Sequence, residues 1–198
     1  MLQWLNPNNY PEFWKNYLSK MKEKSNRYVA ISIESSGLNS SKDVILAFSA
    51  ITITADKIAI KDCIELYISY TKSEFDSDEN EFVLVSKLKK NTERETIERI
   101  ISYIGNATLI GYKVNRDIDL LNASLAKYQC GHLKNDALDI EIMYNKYKDT
   151  IDKKYTLEEM CKAMAVPVTE RTSAAEDSFL TALLFLKLKT LLKIKQPI

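Results

Sequence analysis

Three apolar, β-branched stretches joined by short polar connections dominate the first third of the sequence. They cover residues 27–33, 44–54 and 57–69. A connection such as Ala55-Asp56-Lys57 favours an antiparallel hairpin, because a parallel crossover needs a dozen residues or more. We therefore expect three strands that pair antiparallel in chain order.

The second half of the sequence alternates short apolar strands with helices. Thr92 and Glu95 form a capping box that opens a helix ending near Ile104. The last helix is apolar around most of its surface, which is typical of a helix buried against a sheet. Three antiparallel strands followed by strand–helix units indicate an α/β domain with a mixed sheet. The remaining predicted elements are strands at 107–112 and 137–140, and helices at 115–129, 141–148, from Thr156 to before Pro167, and 173–193.

The N-terminal segment predicts an amphipathic helix over residues 8–24. Asn8 or Asn9 would cap it, and Pro11 suits its first turn. Its apolar face either packs on the domain or binds a partner protein. We divide the chain into an N-terminal helical extension, residues 1–26, and a main domain, residues 27–198. Residues 71–91 are charged and give only a weak structural signal. The apolar face comprises Phe13, Trp14, Tyr17, Leu18 and Met21.

Composition excludes several classes of protein. No apolar run approaches the roughly 18 residues that a membrane span needs, and the start lacks a secretory signal. The three cysteines are widely spaced, which predicts reduced thiols in a cytoplasmic protein. The net charge of +1 lacks the basic excess of a typical nucleic-acid binder, and we interpret the local lysine clusters as solvated helix edges.

Three acidic residues lie where a strand ends or a helix begins. Glu34 ends the first strand, Asp117 enters a helix after a short strand, and Asp177 lies early in the last helix. Carboxylates from three elements can meet at one place. Hard oxygen ligands of this kind suit Mg²⁺ or Mn²⁺.

These three stretches resemble the motifs of the DEDD superfamily of 3′–5′ exonucleases, in the branch of the DNA polymerase III proofreading subunit and ribonuclease T. The resemblance covers roughly residues 27–190. The family motif Asp-x-Glu-Thr-Thr-Gly-Leu matches at Glu34, Gly37 and Leu38, the second motif at Asp117, and His-x-Ala-x-x-Asp at Ala174 and Asp177. The resemblance implies a ribonuclease H-like fold, here a mixed five-stranded sheet flanked by helices. It also implies hydrolysis of phosphodiesters by two divalent metal ions.

The sequence departs from the family motifs at positions that carry the chemistry. Ser32 stands where the family has its first, metal-bridging Asp, and Thr172 where it has the general-base His. A tyrosine variant of the family has its base one residue later, which is Ser173 here. The single histidine, His132, lies outside the motifs, and we interpret it as structural or solvated. Hydroxyl groups stay neutral and are weak ligands for a hard dication, so we expect weak or absent binding of Mg²⁺ or Mn²⁺.

Two cations also replace family residues beside the acidic positions. Lys113 stands at a usual Asn and Arg116 at a usual aromatic residue. A cation there would offset negative charge and compete with metal. The resemblance implies that a nucleic-acid 3′ end would contact Ser35, Ser36, Gly37, Leu38, Lys113 and Arg116.

The sequence leaves three hypotheses for function. The first is a pseudo-exonuclease that keeps the fold and binds a single-stranded DNA or RNA 3′ end, with impaired chemistry at Glu34, Asp117 and Asp177. The second is an active but slow metal-dependent exonuclease that uses the same three acids. The third is a protein-interaction domain that binds a partner through its N-terminal or C-terminal helix and binds no nucleic acid.

Overall fold

The computed structural model describes residues 10–37, 39, 42–70, 89–168 and 173–194. The described residues form six strands and six helices. The strands are β1 (Tyr28–Ser35), β2 (Ile45–Thr54), β3 (Lys57–Ile68), β4 (Lys90–Asn91), β5 (Thr108–Gly111) and β6 (Ala137–Asp139). The helices are α1 (Glu12–Lys20), α2 (Glu93–Ile104), α3 (Val114–Lys127), α4 (Ile140–Lys148), α5 (Leu157–Ala163) and α6 (Ala174–Leu191).

The strands form one mixed sheet in the order β4-β3-β2-β1-β5-β6. The pairs β1–β2 and β2–β3 are antiparallel, as expected, and β5 and β6 continue the sheet in parallel with β1. The predicted number of five strands was wrong, because β4 adds a two-residue parallel strand beside β3. So short a strand forms through backbone pairing alone and leaves no alternating pattern of side chains in the sequence.

The turn between β2 and β3 has the geometry of a tight hairpin. Ala55 and Asp56 have φ values of 47° and 59°. Positive φ at both central residues matches the right-handed twist of antiparallel strands. The short connection therefore sets this hairpin, as the sequence indicated.

Two apolar cores lie on opposite faces of the sheet. In β1, Val29, Ile31 and Ile33 face a core shared with α1, α2 and α3, whereas Tyr28 and Ala30 face a core shared with α4, α5 and α6. Successive side chains of a strand point to opposite faces, so β1 is almost wholly buried. Helix α6 packs on β1 and β2 and is apolar around most of its circumference, as predicted.

Helix α1 belongs to the first of these cores. Trp14 and Tyr17 are each 1% exposed, and their rings stack with centroids 4.6 Å apart. The Tyr17 hydroxyl donates to Asn135 Oδ1 at 2.7 Å and accepts from the N–H of Lys134 at 2.6 Å. Trp14 and Tyr17 of the predicted apolar face are therefore used in intramolecular packing. The helix begins at Glu12, and Asn8 and Asn9 lie outside the described residues.

The capping box predicted at Thr92 is present, and the helix start predicted at Thr156 is also a capping box. The hydroxyls of Thr92 and Thr156 accept from the backbone N–H groups of Glu95 and Glu159, whose carboxylates accept from the threonine N–H groups in return. In the part of the chain that the structure describes, no helix combines the length and apolar character needed to cross a bilayer.

Candidate functional site

The end of β1 presents two of the predicted site residues to the face that α6 covers. Ser32 and Glu34 are half-buried and lie on the same face as Tyr28 and Ala30, at the spacing of alternate residues in a strand. In the antiparallel register Ser32 lies opposite Ser49 of β2, and Glu34 lies opposite Ala47. The first motif therefore points into the cleft between the sheet and α6.

Glu34 is held at the N-terminus of α6. Burial raises the pKa of its carboxyl group, while a hydrogen bond from the backbone N–H of Ala174 lowers it. The carboxylates of Asp177 and Glu65 raise it further. A carboxylate at a helix N-terminus is stabilised by the unpaired N–H groups and the helix dipole. This contact connects the first motif to the third.

Asp117 lies in the first turn of α3 and is 7% exposed. Burial raises the pKa of Asp117 to about 8, and Asp139 and Asp177 raise it in the same direction, whereas Arg116 lowers it. Among the described residues, no hydrogen bond or ion pair reaches the Asp117 carboxyl group. A buried acid in such surroundings favours its neutral form.

Asp177 connects the other two acids. It lies in the first turn of α6, where Ser173 is the N-cap, and its negative charge raises the pKa of both Glu34 and Asp117. The three predicted acids therefore occupy one cleft. Ser173, the other candidate base position, uses its hydroxyl to accept from the N–H of Glu176 at 3.4 Å. Thr172 and Leu38 lie outside the described residues.

The described part of the cleft does not form a ready metal site. Within residues 10–37, 39, 42–70, 89–168 and 173–194, no three His, Cys, Asp or Glu side chains lie close enough together to hold an ion. Asp117 is desolvated and has a raised pKa, which disfavours the carboxylate that a dication needs. These residues do not fit a pair of metal ions in the arrangement described here.

Arg116 spans the cleft from α3 to the loop after β1. Its Nη2 donates to the Ser35 hydroxyl at 2.7 Å and, at 3.4 Å, to the carbonyl oxygen of Gly37. Its Nε is buried and has no hydrogen-bond partner among the described residues. The other predicted cation, Lys113, is exposed, and its Nζ lies 4.8 Å from the ring centre of Tyr112. Arg116 therefore places positive charge beside Asp117, and Lys113 packs on an aromatic ring at the entrance to α3.

Asp43 organises the loop that follows β1. Its carboxylate accepts from the Ser36 hydroxyl at 2.9 Å and from the N–H of Asn39 at 2.6 Å. A Cβ atom on Gly37 would lie 2.6 Å from Asp43 Oδ1, so a larger residue at this position would have to displace the Asp43 carboxylate from its hydrogen bonds. Asp43 therefore shapes the loop. His132, which the motifs left unassigned, is exposed in the segment between α3 and β6.

Sequence reasoning missed Asp139. One oxygen of this carboxylate caps α4 by accepting from the N–H of Glu141 at 2.8 Å, and the other accepts from the N–H of Val114 at 2.9 Å. It therefore fixes the start of α3, the helix that carries Asp117. An Asp directly before a helix is a capping signal that could have been found, but its bond to Val114 is long-range.

Sequence reasoning also missed Glu65 and Tyr67 of β3. Glu65 lies in one row with Ser49 and Ser32 across three strands, and its negative charge raises the pKa of Glu34. The Tyr67 hydroxyl donates to Glu65 Oε1 at 2.7 Å. Burial is the largest cause that raises the pKa of Tyr67, and the hydrogen bond to Glu65 and the negative charge of Glu65 raise it further. The sheet thus brings a fourth acid near the position where Ser32 replaces the family Asp.

Known proteins support the resemblance and the fold. No protein-family model matches the sequence. DNA polymerase III subunit epsilon of Aquifex aeolicus (strain VF5) is 22% identical over 161 residues, which cover 81% of this chain and 79% of that protein.

Solved structures of exonuclease I share the fold. E. coli exonuclease I in complex with a dT13 oligonucleotide superposes with a TM-score of 0.66 at 17% identity, over 84% of this chain and 41% of that chain. Exonuclease I from Methylocaldum szegediense superposes with a TM-score of 0.65 at 16% identity, over 83% of this chain and 40% of that chain. The chain thus spans about two fifths of these exonuclease I chains. It has the ribonuclease H-like fold of the DEDD 3′–5′ exonuclease superfamily and resembles DNA polymerase III subunit epsilon and exonuclease I.

Proposed function

We propose that this protein is an exonuclease-like module that binds the 3′ end of a single-stranded nucleic acid and has impaired two-metal chemistry. One observation carries the proposal. Glu34, Asp117 and Asp177 share one cleft, while a neutral hydroxyl, Ser32, occupies the first acidic position and Arg116 lies beside Asp117.

The charges around the three acids support the proposal that two-metal hydrolysis is impaired. Two divalent ions about 4 Å apart need a dense set of carboxylates around them. Here the first motif contributes one carboxylate instead of two, and an arginine already offsets part of the remaining charge. Thr172 at the general-base position removes a group that contributes about 10²–10⁴ in rate. Any Mg²⁺ or Mn²⁺ would bind weakly.

The relatives support nucleic acid as the ligand. E. coli exonuclease I has been solved in complexes with single-stranded DNA and with a dT13 oligonucleotide. In this chain the 3′ end would contact the loop after β1, with Ser35, Ser36 and Gly37, together with Leu38, Lys113 and Arg116. None of the three cysteines forms a disulfide in the described residues, which supports a place in the cytoplasm.

A slow metal-dependent exonuclease is the second candidate. The shared cleft of Glu34, Asp117 and Asp177 favours it, as does Glu65, because its carboxylate lies near enough to Glu34 to raise the pKa of that residue. This second candidate requires the three acids to move closer together around a single ion, because they do not form an ion site in the described arrangement, and turnover would be slow.

Binding and hydrolysis of 5′-labelled single-stranded DNA and RNA separate these candidates. We expect the wild-type chain to bind at least one oligonucleotide and to hydrolyse neither in Mg²⁺ or Mn²⁺. The double variant Ser32→Asp/Thr172→His should gain hydrolysis, because it restores a metal-bridging carboxylate and a general base. Adding Glu34→Gln to the double variant should remove that activity again.

Two outcomes would contradict the proposal. Wild-type hydrolysis that disappears in Glu34→Gln would establish the slow exonuclease instead. No binding of oligonucleotide or Mn²⁺ by the wild-type chain would leave only the protein-interaction hypothesis.

A further inference from the structure

An apolar groove lies between the ends of α5 and α6, with α4 at its side. We call it the α5–α6 groove. Its volume is about 630 Å³, and its lining includes Tyr147, Ala163, Met164, Leu186, Lys187 and Leu191. Tyr147 and Leu191 remain 41% and 49% exposed although they are large apolar side chains. A concave apolar surface of this size with exposed aromatic and aliphatic walls is typical of a binding site.

The groove has a cationic rim. Lys187 Nζ donates to the carbonyl oxygens of Met164 at 2.6 Å and Ala165 at 3.1 Å, so its ammonium group is fixed at the groove wall. Lys148 Nζ lies 5.9 Å from the ring centre of Tyr147, and Lys193 is exposed just beyond α6. A fixed ammonium group with one hydrogen still available suits a carboxylate.

In the part of the chain that the structure describes, no ion pair engages Lys148, Lys187 or Lys193. Among the described residues that line it, none is acidic. The nearest acid along α5, Glu159, is engaged in the capping box, where its carboxylate accepts from the N–H of Thr156 at 2.8 Å. The positive charge of Lys148, Lys187 and Lys193 therefore stays available to a ligand.

We propose that the α5–α6 groove binds an acidic–apolar peptide segment of a partner protein. An apolar side chain of the peptide would lie between Tyr147 and Leu191, and neighbouring carboxylates would pair with Lys148 and Lys187. Charge complementarity favours this occupant over a nucleic acid, because a phosphate backbone needs a longer basic surface and gains little from an apolar floor.

This groove is separate from the candidate functional site. Asp177 lies in the first turn of α6 and Thr190 lies near its end, so the helix rise separates the two sites by about 20 Å. The proposal therefore does not depend on nucleic-acid binding or hydrolysis, and its test can fail while the proposed function stands.

Selection from a phage-displayed library of random decapeptides tests the proposal, with the full chain as bait. Enriched peptides are then labelled and measured by fluorescence anisotropy against wild type and three variants. Leu191→Gln removes an apolar wall, and Lys148→Gln removes a rim charge. Ile151→Gln is the matched control, because Ile151 is 91% exposed and lies outside the groove lining. Circular dichroism shows whether each variant folds.

We expect enrichment of peptides that combine Asp or Glu with Phe, Leu or Ile. Leu191→Gln and Lys148→Gln should each weaken their binding, by about tenfold for Leu191→Gln, while Ile151→Gln should bind as wild type does. Affinity should also fall as salt screens the rim lysines.

Any of three peptide-binding results would overturn the proposal. They are enrichment of neutral or basic peptides, no enrichment at all, and equal binding by Leu191→Gln and wild type. Concentration-dependent dimerisation of the wild type that Leu191→Gln abolishes would also overturn it, because the occupant would then be a second copy of this chain.

Discussion

At the scale of single residues, Asp117 and Arg116 set the electrostatics of the cleft. Asp117 is buried without a hydrogen-bond partner among the described residues, and the neighbouring Asp139 and Asp177 disfavour its ionised form. The guanidinium group of Arg116 offsets only part of this effect. Ionising this buried acid costs free energy, so the folded protein loses stability as the pH rises and Asp117 becomes a carboxylate.

Asp117→Asn should make stability less dependent on pH. The folded-state pKa of Asp117 is raised to about 8 from an ordinary value of 3.8. The contribution of Asp117 to the free energy of unfolding is therefore fully present below about pH 4. It is lost as the pH rises towards 8, because the Asp117 carboxyl group of the unfolded chain releases its proton at a lower pH than that of the folded chain. The variant should match wild type near pH 4 and be more stable by roughly 2–4 kcal/mol at pH 8.

Urea denaturation in EDTA across this pH range measures the difference. Asp119→Asn is the matched control, because Asp119 lies on the same helix but is exposed. Parallel pH profiles for wild type and Asp117→Asn would contradict a buried acid with a raised pKa.

At the scale of elements, the junction between β5 and α3 determines where Asp117 lies. Lys113 adopts a left-handed conformation before the helix, Asp139 accepts from the N–H of Val114, and Gly111 allows Val114 to approach closely. A Cβ atom on Gly111 would lie 2.8 Å from Val114 Cγ2. The start of α3 is therefore fixed by close packing and one carboxylate.

Gly111→Ala should destabilise the protein by about 1–3 kcal/mol, because the added methyl group overpacks the junction. Gly131→Ala is the matched control, since the nearest atom to its added Cβ is Trp14 Cζ2 at 3.6 Å, an ordinary contact. Thermal denaturation of both variants gives the comparison. Equal melting temperatures for the two variants would show that the junction can relax without cost.

At the scale of the whole molecule, two cores enclose one sheet, and the N-terminal helix is part of one of them. Trp14 and Tyr17 contact the same core as β1 and α2. We predicted residues 1–26 as an extension, a boundary that stays a prediction. The burial of these two aromatics favours a helix that folds together with the sheet.

Trp14→Ala should lower the free energy of unfolding by about 3–5 kcal/mol, the range for removing a large aromatic side chain from a core. Ile60→Ala, at a side chain that is 70% exposed, should change it by less than about 0.5 kcal/mol. Chemical denaturation followed by near-UV and far-UV signals gives both values. An early transition in Trp14→Ala that affects only helical signal would indicate a separately folding extension.

The sequence alone determined the elements whose signals are local. The capping boxes at Thr92 and Thr156, the hairpin at Ala55–Asp56 and the apolar last helix each depend on residues within a few positions of one another. The three acidic motif positions also follow from the sequence, because a motif places each acid at a strand end or a helix start.

The tertiary structure alone decided which residues join those acids. The pairing of β2 with β3 shifts between Ile51 and Thr52, where β3 holds three extra residues. Regular alternation counted along β3 from the hairpin turn would therefore place Glu65 on the wrong face of the sheet. The bond from Arg116 to Ser35 and the burial of Asp117 likewise depend on how α3 packs against the end of β1. Local patterns specify helices and strands, whereas the electrostatics of the cleft arise from contacts between residues far apart in the chain.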